Sequence, residues 1–178
     1  MNRFILPLGA FVLLAGVLAV GIKHAPENGV IKSPLIGKAA PQFNLPYLED
    51  PSRSLSSNEL KGRWYVVNVW GTWCYACRQE HPALLEYRKE GAVPIIGMDW
   101  NDQDDDARQY LSQSGNPYSD VIVDHDGRIA INFGVYGAPE SFLVNADGVI
   151  VFKHVGVLTP DVWRKEILAR LPPKAAKS

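Results

Sequence analysis

The chain has 178 residues, 47 % of them hydrophobic and 21 % charged, with 18 Lys and Arg against 19 Asp and Glu for a formal net charge of -1. These values exclude a disordered chain and a polycation built to grip nucleic acid, so no nucleic-acid partner is expected. The only cysteines are Cys74 and Cys77, which excludes a disulfide-rich scaffold and a four-cysteine zinc site.

Residues 4–22, FILPLGAFVLLAGVLAVGI, carry no charge and lie between Arg3 and Lys23. As a helix this run spans about 28 Å, close to a bilayer core. It is long for a cleaved signal peptide and shows no clean small-x-small cleavage site, so residues 1–23 are expected to be an uncleaved membrane anchor. A cleaved signal and a buried helix are the competing readings. Residues 24–40 include Pro26, Gly29, Pro34 and Gly37 and read as a linker. A domain over 41–172 and a tail over 173–178 follow.

Within the domain, residues 42–48 are strand-like, and Ser56 to Leu60 resembles a capped helical turn. Residues 64–70, WYVVNVW, are the clearest buried strand. A helix is expected from near Cys74 toward Glu90, closed by Gly91. A strand over 93–98, an acid-led helix over 102–112 and a strand from Tyr118 to a turn at Asp126-Gly127 come next. A hairpin around Asp147-Gly148 and a helix capped by Thr159-Pro160 complete the pattern. The order implies an α/β domain with a mixed sheet flanked by helices. The triplet Asp104 to Asp106 lacks the spacing of a calcium loop, and no metal is expected there.

The sharpest chemical signal is Trp73-Cys74-Tyr75-Ala76-Cys77, directly after the buried strand and opening a helix. Two residues between cysteines in a first helical turn bring the sulfurs within bonding reach. Helix-terminal amides favour a thiolate on Cys74, and Cys77, a turn further in, would resolve a mixed disulfide. A static disulfide and half of a zinc site with His81 are the bland alternatives. Arg78 occupies the place a haem-attachment motif would give to histidine.

The stretches VVNVWGTWCYACRQEHPAL, GNPY, GVYGAPESFLVNADGVI and HVGVLTPDVW resemble the thioredoxin-like, membrane-tethered thiol:disulfide interchange proteins of cytochrome c biogenesis. The resemblance covers most of residues 40–170. It implies a thioredoxin-like fold with an N-terminal extension and a central insertion, held outside a bacterial inner membrane by residues 4–22 and facing the periplasm. It implies a protein disulfide reductase with no cofactor beyond a redox-active Cys74–Cys77 disulfide. The implied substrate is apocytochrome c or a cytochrome c assembly thiol protein, and the implied electron donor is a membrane thiol reductase. Tyr75-Ala76 departs from the Pro-Thr common between the family's cysteines, which bears on reduction potential.

The resemblance also implies that Pro139 is cis and faces the dithiol, beside an Ala138 backbone free to pair with substrate. Glu80, three residues after Cys77, is a candidate to take the proton of Cys77, against the reading of a solvated helix glutamate. Glu140 is a second candidate. Trp73, Tyr75, Ala76, Tyr136, Gly137, Ala138 and Glu140 would form the substrate groove. Asn68 is expected to orient neighbours by hydrogen bonding. Pro82 is expected to kink the helix, and the histidines to serve core or surface roles. The rival functions are a disulfide-forming oxidase and, in a different class, a non-catalytic membrane-tethered chaperone for extended chains.

Overall fold

The computed structural model describes residues 5–23 and 33–173, with side chains over 7–20 and 33–173. Residues 24–32 of the expected linker and 174–178 of the expected tail lie outside the described residues. The chain divides into two compact units, residues 1–31 and 32–178. The first contains helix α1 (Ile5–Lys23). Its described side chains, among them Leu8, Phe11, Leu13 and Val17, are exposed. Among the described residues no helix is long and apolar enough to cross a membrane.

The second unit opens with a small antiparallel pair, β1 (Asn44–Pro46) and β2 (Ser54–Ser56). A 3-10 turn (Ser57–Leu60) follows, closed by a reciprocal capping box in which Ser56 and Glu59 each accept the other's backbone N–H. Then come β3 (Tyr65–Trp70), α2 (Tyr75–Glu90), β4 (Ile95–Trp100), α3 (Asp104–Ser114), β5 (Asp120–Asp124), α4 (Arg128–Asn132), β6 (Glu140–Val144) and β7 (Ile150–Val155). The closing segment begins as α5 (Pro160–Val162), widens to a π turn (Trp163–Ile167) and tightens to a 3-10 turn (Leu168–Arg170).

The main sheet has the order β5-β4-β3-β6-β7. Strands β3, β4 and β5 run parallel, and β6 and β7 add antiparallel to them. Every residue of β3 is buried, as a central strand covered on both faces requires. Period-two alternation sends Val66 and Trp70 to one core with Leu84, Tyr87, Leu111 and Trp163. It sends Tyr65, Val67 and Val69 to the other with Phe43, Leu60, Ala130 and Phe133.

The structure differs from the sequence reading in three elements, the first being β2, which pairs with β1 where no strand was expected. The turn expected at Asp126-Gly127 leads into α4, because the Asp124 carboxylate accepts the N–H groups of Ile129 and Ala130 and so caps a helix start. The last helix is not regular. Its wide turn carries Trp163, stacked on Tyr87 at 4.3 Å between ring centroids, and Ile167, both buried in the core. Helix α2 runs on through Pro82, although Pro82 has no N–H to donate back along the helix.

Candidate active site

The dithiol sits where β3 hands over to α2. Gly71 ends the buried strand, and a Cβ there would lie 2.5 Å from the Trp73 indole, so the turn needs glycine. Cys74 is the N-cap of α2 and Cys77 lies in its first turn. The two sulfurs are joined in a disulfide, with Cα atoms 5.3 Å apart. The Cys77 N–H donates to Cys74 Sγ at 3.0 Å, so the helix's own first-turn amide serves the outer sulfur. Burial does not separate the two cysteines: Cys74 is 4 % exposed and Cys77 6 %. Their difference is positional, since Cys74 caps the helix and Cys77 lies within it.

Glu80 belongs to the inward stripe of α2 with Cys77, His81, Leu84 and Tyr87. It is fully buried, unlike a solvated helix glutamate. Its Oε1 accepts from the Asn68 amide at 2.9 Å and its Oε2 from the Leu158 N–H at 2.8 Å. Both bonds favour the anion, yet burial dominates and raises the pKa to about 7. Asn68 also donates to Ser141 Oγ at 3.0 Å and accepts from the Tyr118 hydroxyl at 2.9 Å. Asn68 therefore orients Glu80, as the sequence reading expected. Tyr118, Ser141 and the Leu158 amide were not anticipated, because contacts across distant elements leave no local sequence signal.

Trp73 (52 %) and Tyr75 (75 %), which flank Cys74 in the chain, and Tyr136 (70 %), in the loop before Pro139, are strongly exposed for large aromatics. Ala76, Gly137 and Ala138 are half-buried. The Ala138–Pro139 peptide is cis, and Pro139 is buried at the head of β6. Nothing lies within 4 Å of a Cβ built at Gly137, so the backbone there faces open space.

Glu140 is corrected as a groove residue and as an alternative to Glu80. It is fully buried and shares the face of β6 that carries Phe142 and Val144, opposite the face of the dithiol core. Its Oε2 lies 2.8 Å from Lys153 Nζ and its Oε1 accepts the Tyr136 N–H at 3.1 Å. The buried Lys153 also donates to the Gly134 carbonyl and lies 5.1 Å from the Tyr136 ring centroid. Glu140 thus supports the loop before Pro139 from beneath. Removing one partner of such a buried pair is costly because the other charge is left uncompensated.

His81 bonds the Gly115 carbonyl at 3.0 Å, and burial lowers its pKa, so it is a core histidine. His125 pairs with Asp104, and His154 with the Val157 carbonyl. Among the described residues no group of three or more His, Cys, Asp or Glu is placed to hold a metal ion.

Residues 35–170 match the Redoxin family model. The chain is 43 % identical to the thiol:disulfide interchange protein DsbE of Allochromatium vinosum over 166 residues, covering 93 % of this chain and 91 % of the relative. It is 43 % identical to the DsbE of Pseudomonas aeruginosa, covering 92 % and 89 %. A solved thiol:disulfide interchange protein of the thioredoxin family from Chlorobium tepidum superposes with a TM-score of 0.58 at 28 % identity, covering 66 % of this chain and 85 % of that one. The α/β fold, the mixed sheet and the disulfide at the head of α2 agree with these likenesses. The chain belongs to the Redoxin family, among the DsbE-type thiol:disulfide interchange proteins, and is a thiol–disulfide oxidoreductase.

Proposed function

We propose that this oxidoreductase is a reductant of cytochrome c maturation, anchored in a bacterial inner membrane by residues 1–23 with its domain in the periplasm. In this reading residues 24–40 are the linker, 41–172 the thioredoxin-like domain with its N-terminal extension and central insertion, and 173–178 the tail. The substrate is the disulfide of an apocytochrome c haem-binding site, or that of an assembly partner. The observation that carries the reading is a cysteine pair at a helix start with a fully buried carboxyl, Glu80, on the same inward stripe.

The reduced Cys74 thiolate attacks one sulfur of the substrate disulfide. That bond breaks, the other substrate sulfur leaves as a thiolate, and a mixed disulfide forms. Glu80 accepts the proton of Cys77, and the Cys77 thiolate attacks the Cys74 sulfur. The substrate leaves as a dithiol, and the protein is left with the Cys74–Cys77 disulfide. Two electrons pass from protein to substrate, and a membrane thiol reductase restores them. Pro139 and the half-buried Ala138 edge receive the substrate strand, flanked by Trp73, Tyr75, Ala76, Tyr136 and Gly137. The resemblance in GVYGAPE supports this assignment.

Non-reducing electrophoresis with a disulfide-bonded apocytochrome peptide tests the reading. Cys77→Ala is expected to trap a covalent adduct that thiol releases, and Cys74→Ala to trap none. Absence of an adduct with Cys77→Ala would contradict the assignment.

A further inference from the structure

The carboxyl end of β4 lies against the loop that delivers Cys74. Asp102 accepts both the backbone N–H and the hydroxyl of Thr72, the latter at 2.8 Å. The Trp73 indole N–H donates to the Trp100 carbonyl at 3.1 Å, and the two rings meet edge to face at 5.6 Å. Between these contacts Asn101 takes a left-handed conformation with φ 50°. The Arg78 guanidinium donates to the Thr72 carbonyl at 2.6 Å. Every polar group of Thr72 is therefore engaged, two residues before the nucleophilic sulfur.

Beneath this contact is Asp99, in register with Trp70 on the adjacent strand. It is fully buried, and neither of its carboxyl oxygens receives a hydrogen bond. A buried carboxylate without donors is costly. A protonated carboxyl needs only an acceptor, and the Asp102 side chain faces it. Burial, together with the nearby Asp102 and Asp104 charges, raises the pKa of Asp99 to about 8.

We propose that Asp99 and Asp102 form a proton-sharing carboxyl–carboxylate pair that positions the Thr72–Cys74 loop for disulfide exchange, Asp99 holding the proton and Asp102 holding Thr72. Both act through the loop, so they are positioning residues. Loss of the Asp99 proton sets two carboxylates against each other away from bulk water, and Asp102, only half-buried, is the side chain able to turn away and release Thr72. The groups facing Asp99 are Asp102 and Asp104, from the loop and the start of α3, and Tyr118, from the segment before β5. One contact further out, Asp104 is paired with Arg108 and His125. The Tyr118 hydroxyl is committed to Asn68. The inference concerns disulfide exchange itself and holds whichever protein is the substrate.

The test uses the full chain in detergent. In the oxidised protein no thiol titrates, and tryptophan fluorescence is followed from about pH 6 to about pH 9.5. The wild type is expected to show a one-proton transition near pH 8. The transition is expected to vanish in Asp99→Asn, whose amide donates to Asp102 at every pH. Glu80 is unchanged in both proteins, so their difference isolates Asp99. In the reduced protein, Asp102→Ala and Thr72→Val are each expected to slow reduction of a disulfide-bonded peptide by about tenfold, the double variant being no slower than either single one. The ratio of the Asp99→Asn rate to the wild-type rate is expected to rise above about pH 8. An unchanged transition in Asp99→Asn, or losses for Asp102→Ala and Thr72→Val that multiply, would overturn the proposal. If Asp102→Ala does not fold, Asp99→Asn and Thr72→Val decide it.

Discussion

Glu80 shows how one side chain can be pulled in two directions. Its bonds from Asn68 and Leu158 favour the anion, while burial favours the acid and prevails, leaving the pKa at about 7. A group whose pKa rises on folding stabilises the fold fully below its unfolded value, about 4.5, and loses that contribution as pH climbs through about 7. Asp99 acts in the same direction up to about 8. Glu80→Gln is expected to remove an inflection near pH 7 from the pH–rate profile of disulfide exchange and to slow the exchange by about a hundredfold. Stopped-flow reduction of a disulfide peptide across that range checks it, and an intact inflection would assign the proton to another group. The candidacy of Glu80 was legible from its spacing to Cys77. Its environment was not, because Tyr118 and Ser141 reach Asn68 across 50 and 73 residues of chain.

At the scale of elements, the segments VIVDHDGRI and FLVNADGVI look alike in sequence and fold differently. In the first, the Asp124 carboxylate takes the amides of Ile129 and Ala130 and opens α4. In the second, Asn145 Oδ1 takes the amides of Asp147 and Val149 and closes the hairpin between β6 and β7. Alternating apolar residues announced both strands, but the side-chain acceptor that chose helix or hairpin acts over positions that hydrophobic periodicity does not weigh. Gly97 carries a comparable hidden constraint. It pairs with Asn68 across β3 and β4, and a Cβ there would lie 2.6 Å from the Tyr118 ring. The missing side chain is what lets that ring lie over β4 with its hydroxyl on Asn68. Gly97→Ala is expected to cost about 1–3 kcal/mol through overpacking, measured by denaturant unfolding. Wild-type stability would show that the ring moves freely, contrary to this packing.

For the whole molecule, the mixed sheet sorts the candidate groups by face. Asn68 and Ser141 meet Glu80 on the dithiol side, whereas Glu140 and Lys153 lie on the other side and brace the loop before Pro139. That sorting separates the two glutamates, which sequence alone left as equals, because only strand register decides which face a residue joins. The buried β3, the cysteine spacing and the closing hairpin were readable because each is a local pattern. The contact between residues 100–102 and Thr72–Trp73 was not, since it depends on two parallel strands ending side by side.

The central claim, that electrons flow from this protein to its substrate, is tested most directly by the reduction potential of the Cys74–Cys77 pair. The full chain in detergent is equilibrated against glutathione or dithiothreitol buffers and its thiol content is read by alkylation. The account predicts a potential well below about -120 mV, on the side of the reductants. A potential near about -120 mV would make the protein an oxidant and reverse the assignment, leaving the fold and the dithiol in place.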